Sequence, residues 1–168
     1  MKSSTLVQEV SQENRIDHPV MRHLQREVAN AFVLYANYKH YHWQMYGPLF
    51  HDLHLMLDDF AKETLETIDE IAERVRMIGQ DLQSVQLKQM QEAASVHSAQ
   101  AGQTAREMLE EAGANLLVVI KGMREGAKAA DEAGDPGTVD LFSKTVRIHE
   151  KHEWFLRQVL KKKDGLIA

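Results

Sequence analysis

The chain has no cysteine, which excludes disulfides, zinc–thiolate sites, iron–sulfur clusters and thiol nucleophiles. Only three prolines occur, at 19, 48 and 136, so long stretches run without a helix breaker. No stretch approaches the roughly 18 apolar residues of a membrane span, and residues 1–19 lack an apolar run of signal length. A soluble cytoplasmic protein without a membrane partner is therefore expected. Excess positive charge is also missing: the net charge is −5 at pH 7, which argues against nucleic acid as an electrostatic partner and suits cations. What remains is 168 residues, 43% hydrophobic and 27% charged, enough for one well-buried domain.

The prolines act as punctuation. Asp17-His18-Pro19 reads as a helix start with Asp17 as a cap. Val20, Leu24, Val28, Ala31, Tyr35, Tyr38 and His42 then recur at steps of three and four, a helical stripe that ends at Tyr46-Gly47-Pro48. A second stripe, Leu53, Leu57, Phe60, Ile68, Ile71, Val75 and Ile78, closes at Gly79. Residues 80–103 have weak periodicity, with a short helix expected from Leu87 to Val96. A third long helix carries Ala105, Leu109, Ala112, Leu116, Val119, Met123 and Ala130. After the turn at 133–137, with Thr138 as candidate cap, the last helix runs to about Lys162 with Leu141, Thr145, Ile148, His152, Phe155 and Val159 inward. Two short connections and a long central one predict an all-α four-helix bundle over 17–162, with a crossover between the second and third helices. Residues 1–16 and 163–168 are expected to be tails, the first of them flexible.

The second helix carries His54, Asp58, Asp69 and Glu73. Relative to His54 the three carboxylates lie about 40°, 60° and 100° round the helix, so the four share a face. Imidazole plus carboxylate is a donor set that iron and zinc accept. Asp58 and Asp69 are nevertheless about 16 Å apart along the axis, and no single ion spans that gap. With Leu53 at zero, the apolar stripe clusters between about −20° and 60° and the donors between about 100° and 200°, so the ligands point away from the bundle's own core. Ala61, Leu65 and Ala72 lie between them, small or apolar where a solvated face would carry charge. Two copies crossing antiparallel about a dyad near residues 63–65 would bring His54 and Asp58 of one to Asp69 and Glu73 of the other. Folding back at Gly47-Pro48 sets His42 beside His54, with Trp43 as a wall excluding water.

The stretch His42-Trp43-Gln44-Met45-Tyr46-Gly47, Phe50, Leu53-His54, Asp58, Asp69-Glu70-Ile71-Ala72-Glu73-Arg74 and Gly79 closely resembles the Dps proteins, the mini-ferritins. Gly134-Asp135 through Thr138, Asp140 and Trp154 extend the resemblance, which covers about residues 17–160. A single long crossover is also the connectivity of ferritin-like bundles. The resemblance implies a hollow homododecameric shell with dinuclear ferroxidase sites on its dyads, formed by His42, His54 and Asp58 of one subunit and Asp69 and Glu73 of its neighbour. It further implies oxidation of Fe(II) by hydrogen peroxide or dioxygen, storage of ferric oxide, and protection of DNA and the cell from oxidative stress. Zinc is an alternative occupant or inhibitor of such a site.

Asp131, Glu132, Asp135 and Asp140 surround the last turn. By the same resemblance, acids in this region line iron-admitting pores, with Asp131, Asp135 and Asp140 the candidates. His149 and His152 form an i,i+3 pair. His152 lies on the core stripe as a hydrogen-bonded core histidine, and His149 is a candidate extra metal ligand. His40 and His51 read as surface or interface residues. DNA binding is expected to be weak or absent: Lys2 and Arg15 in the N-terminal segment face Glu9, Glu13 and Asp17, leaving Lys161-Lys162-Lys163 as the one basic cluster. Two alternatives are a DNA-compacting shell with little ferroxidase activity and a bundle-core di-iron oxidase or peroxidase. The second needs Glu-x-x-His motifs, whereas Glu63, Glu66 and Glu70 are followed three residues later by Glu66, Asp69 and Glu73, and the first helix lacks an inward glutamate near its middle.

Overall fold

A computed structural model describes residues 19–82 and 86–161. Five helices follow in order: α1 Met21–Gln44, α2 Phe50–Met77, α3 Leu87–Ala93, α4 Ala105–Glu132 and α5 Pro136–Val159. No strand occurs among the described residues. Four long helices form the bundle and α3 lies in the crossover, packed on α1. No helix of the described residues is long and apolar enough to cross a membrane.

Local chemistry sets the helix ends. Gly79 (φ 77°) and Gly134 (φ 67°) each close a helix in the left-handed conformation. In both, two backbone bonds fold back on the last turn: Gly79 N to Arg76 O with Gln80 N to Val75 O, and Gly134 N to Asp131 O with Asp135 N to Ala130 O. Thr104 and Glu107 form a reciprocal capping box at the start of α4. The cap of α5 is Asp135 rather than Thr138, because Pro136 takes the first helical position and the Asp135 carboxylate receives the Thr138 N–H at 3.0 Å. The expected cap Asp17 lies outside the described residues. The crossover helix stops at Ala93, short of Val96, since Ala94 is already extended.

Leu24, Val28, Leu34, Tyr38, Leu57, Ile71, Leu116, Met123, Phe142 and Leu156 are among the buried side chains of the core. α1 and α2 run antiparallel, and α2 meets α5 through Glu63 with His152, Glu70 with Lys144, and Arg74 with Thr138. The crossover is held by buried asparagines. Asn37 donates to the His97 carbonyl at 2.7 Å and accepts from Ala99 N at 2.8 Å. Asn115 donates to the same carbonyl at 2.8 Å and accepts from His97 N at 2.9 Å, while Asn30 accepts from Ser95 N at 2.7 Å. These side chains satisfy backbone groups that a non-helical segment crossing a core would leave unpaired.

Candidate metal centre

The α1–α2 turn brings His42 and His54 together, as the hairpin register expects. Their rings stack with centroids 3.6 Å apart. His42 Nδ1 lies 2.7 Å from the His54 carbonyl oxygen, and His54 Nδ1 lies 2.9 Å from that of His42. A carbonyl can only accept, so each Nδ1 carries the proton. In the neutral ring each Nε2 is then an unprotonated donor for a metal, held in orientation by the backbone of the opposite helix.

Asp58, one turn after His54, has both carboxylate oxygens engaged: Oδ1 accepts from Lys39 Nζ at 2.7 Å and Oδ2 pairs with Lys62 Nζ at 2.8 Å. The two ammonium groups, Lys39 foremost, hold its carboxyl well below the ordinary range. A cation approaching Asp58 is opposed by both ammonium charges. Lys39 is the more buried, and its ammonium also lies 5.4 Å from the Trp43 ring centroid. Lys62 is exposed. Asp69 and Glu73 lie on the exposed side of α2 and have no partner among the described residues.

Several expectations need revision. Trp43 does not wall the imidazoles within one chain: it is 68% exposed, and the ring against His54 is Phe50, at 5.0 Å. Ala61 faces the core rather than outward, being 1% exposed, whereas Leu65 does face outward at 49%. Asp135 is buried, caps α5 and pairs with Arg74, so its carboxylate is committed within the chain rather than offered to a pore. Burial opposes its charge, but the hydrogen bonds from Thr138 and the Arg74 guanidinium outweigh that and lower its pKa. Asp131 and Asp140 remain exposed. Glu27 points inward two turns into α1, though toward Gly122 of α4 and not at mid-helix. His152 is buried and bonds Glu63, while His149 is buried with neither nitrogen paired. Among the described residues no three His, Asp or Glu side chains converge on one point. The five candidate donors on α1 and α2 therefore do not meet at one point within a single chain.

A family profile described as the ferritin-like domain matches residues 21–165. The chain is 34% identical over 141 residues to DNA protection during starvation protein 1 of Deinococcus radiodurans, an alignment covering 82% of this chain and 66% of that one. It is 44% identical to the crystal structure of Dps from Thermosynechococcus elongatus, with TM-score 0.85 over 89% of this chain and 94% of that one. The Dps protein of Vibrio cholerae O1, described as a member of a broad superfamily of ferritin-like diiron-carboxylate proteins, aligns with TM-score 0.79 and 26% identity over 91% and 92% of the two chains. Bundle, crossover, and the matched sequence agree, and this chain belongs to the Dps branch of the ferritin-like family.

Proposed function

We propose that the chain is a Dps-type ferroxidase and iron-storage protein, active as a hollow homododecamer that binds and oxidises Fe(II) at dyad interfaces. The observation that carries this is the paired imidazoles, whose Nδ1 protons are tied to backbone carbonyls so that both Nε2 atoms are free for a metal. His42, His54 and Asp58 form one half-site. Asp69 and Glu73, exposed and unpaired on the same helix, are the half-site offered to a neighbouring copy.

Iron is the substrate here. Two Fe(II) ions each surrender one electron, hydrogen peroxide accepts both, and its O–O bond breaks to leave two hydroxides, with no hydroxyl radical released. Dioxygen is the alternative oxidant. The carboxylates favour Fe(III) as it forms because a hard cation prefers oxygen donors, while the imidazoles bind Fe(II) without neutralising it. Zinc fits the same donors and competes for them. Exposed Asp131 and Asp140 are the acids left to draw cations toward a pore. Ferric oxide is stored within the shell, and DNA and the cytoplasm are protected by removal of iron and peroxide rather than by tight DNA binding. A shell of twelve chains at −5 each carries about −60, which opposes phosphate contact.

Stopped-flow Fe(II) oxidation with each oxidant tests this. His54→Ala and Asp58→Ala should slow it strongly while light scattering still reports twelve copies of 19.2 kDa, about 230 kDa. Wild-type rates in both variants, or a stable monomer, would sink the assignment. Plasmid should migrate freely with the protein at about 0.15 M salt.

A further inference from the structure

A second group of donors is unused by the dyad site. Tyr38 on α1, Thr64 on α2, and His149 and His152 on α5 are each 0% exposed. The Tyr38 hydroxyl, Thr64 Oγ1, both His149 nitrogens and His152 Nδ1 have no hydrogen-bonding partner among the described residues. Buried polar atoms in folded proteins are rarely orphaned, and an ordered water or an ion commonly satisfies those the chain does not.

Tyr38, His149 and His152 lie in ring contact, and Thr64 is buried at the same level of the bundle. Glu63 pairs with His152 and Glu70 with Lys144, an antiparallel register that sets Thr64 level with the His149 turn. The Tyr38 ring meets His152 edge-on with centroids 5.9 Å apart, and the two imidazoles are 5.7 Å apart at 79°. Two imidazoles on one tetrahedral ion, with metal–nitrogen bonds of about 2 Å, place their centroids roughly 5 Å apart, so a small adjustment suffices.

The tautomer of His152 is determined by its neighbour. Its Nε2 lies 2.8 Å from Glu63 Oε2, and an ionised carboxylate only accepts, so Nε2 carries the proton and Nδ1 turns a lone pair into the core. A carboxylate behind a histidine whose other nitrogen is free is the usual outer arrangement of a metal-ligating imidazole. Hydrogen bonds from His152 and Lys151 outweigh burial and hold Glu63 ionised below its ordinary pKa. Burial lowers the pKa of His149 to about 3 and of His152 to about 4, leaving both rings neutral and their lone pairs available near pH 7.

We propose that His149 and His152 form a buried site for one divalent transition-metal ion inside the bundle, with the Tyr38 and Thr64 hydroxyls completing the donor set and Glu63 supporting His152 from outside. The two imidazole donors select ions of the zinc, cobalt and ferrous class over calcium or magnesium. Glu63, 37% exposed, connects the site to the surface and balances its charge.

Cobalt(II) tests the site in the His54→Ala/Asp58→Ala background, which removes the dyad half-site so that the result does not depend on the ferroxidase reading. Equilibrium dialysis should find one cobalt per chain, with visible absorption of tetrahedral character. The same background with His149→Leu should bind none. Glu63→Gln should weaken binding by about tenfold or more and guards against misfolding of the His149 variant. No cobalt in the starting background, or equal uptake after both substitutions, would overturn the site and leave ordered water as the occupant.

Discussion

Replacing Asn37 with alanine tests whether the crossover is held by side chains. The substitution removes two hydrogen bonds, to the His97 carbonyl at 2.7 Å and from Ala99 N at 2.8 Å. The two groups left behind differ. The carbonyl keeps the Asn115 amide at 2.8 Å, while the Ala99 N–H loses its side-chain acceptor in a partly buried setting. Two bonds at about 1 kcal/mol each and an orphaned donor at about 1–3 kcal/mol sum to roughly 3–5 kcal/mol. Alanine is a better helix former than asparagine by about 0.7 kcal/mol, and water reaching a part-buried site lowers the penalty further. A net loss of about 2–3 kcal/mol follows. Asn37→Asp should cost at least as much, because it keeps the acceptor but sets a carboxylate oxygen against the His97 carbonyl. Asn115→Ala should cost a similar amount, and the double variant more than the sum, since only then does the shared His97 carbonyl lose both of its side-chain donors. Urea unfolding at fixed protein concentration gives the energies, and hydrogen exchange at Ala99 and His97 shows where they arise. Losses under about 0.5 kcal/mol with unchanged Ala99 protection would refute the clamp.

Burial raises the Glu27 pKa from 4.5 to about 7, so its contribution to stability is complete below about pH 4.5 and is lost as pH rises through 7. Glu27→Gln should therefore stabilise the protein by on the order of 2–3 kcal/mol at pH 8 and little at pH 5 in thermal melts, and equal effects at both would contradict it. Lys62→Gln frees one Asp58 oxygen and should lower the half-saturating Fe(II) concentration by about two- to threefold, more than it alters the plateau rate, as befits an exposed pair. A higher half-saturation point would mean that Lys62 assists metal binding instead. A Cβ on Gly126 would lie 2.7 Å from the Phe142 ring, so Gly126→Ala should destabilise despite its better helix propensity, by about 1–2 kcal/mol in urea. An unchanged midpoint would show that the ring gives way freely.

The long helices were legible because their apolar stripes recur at helical spacing and glycine or proline stands at each break. The donor face was legible for the same reason, since His54, Asp58, Asp69 and Glu73 sit off the stripe of Leu53, Leu57 and Ile71. Small residues are ambiguous: alanine fits a core and a contact face equally, and Ala61 lies in the core. Pro136 at the first helical position was a signal for Asp135 as cap, and it outranks the hydroxyl of Thr138. The lysines on Asp58 were within reach of the hairpin register that paired His42 with His54, because Lys39 lies one turn before His42. The asparagine clamp was not, since an asparagine within a stripe gives no sign of which distant backbone it will meet.

Arg74 follows Glu73 directly, yet it reaches inward to Thr138 and Asp135 while Glu73 faces out. Glu63 and Glu70 bind α5 from the same helix. Three attachments along α2 fix its rotation about its own axis, and with it the compass bearing of every ligand it carries. In the proposed dyad site, the distance between half-sites is then set by how whole subunits seat on one another. Under the proposed ferroxidase reading, a substitution remote from any donor, at Arg74 or Lys144, would shift the bearing of His54, Asp58, Asp69 and Glu73 together.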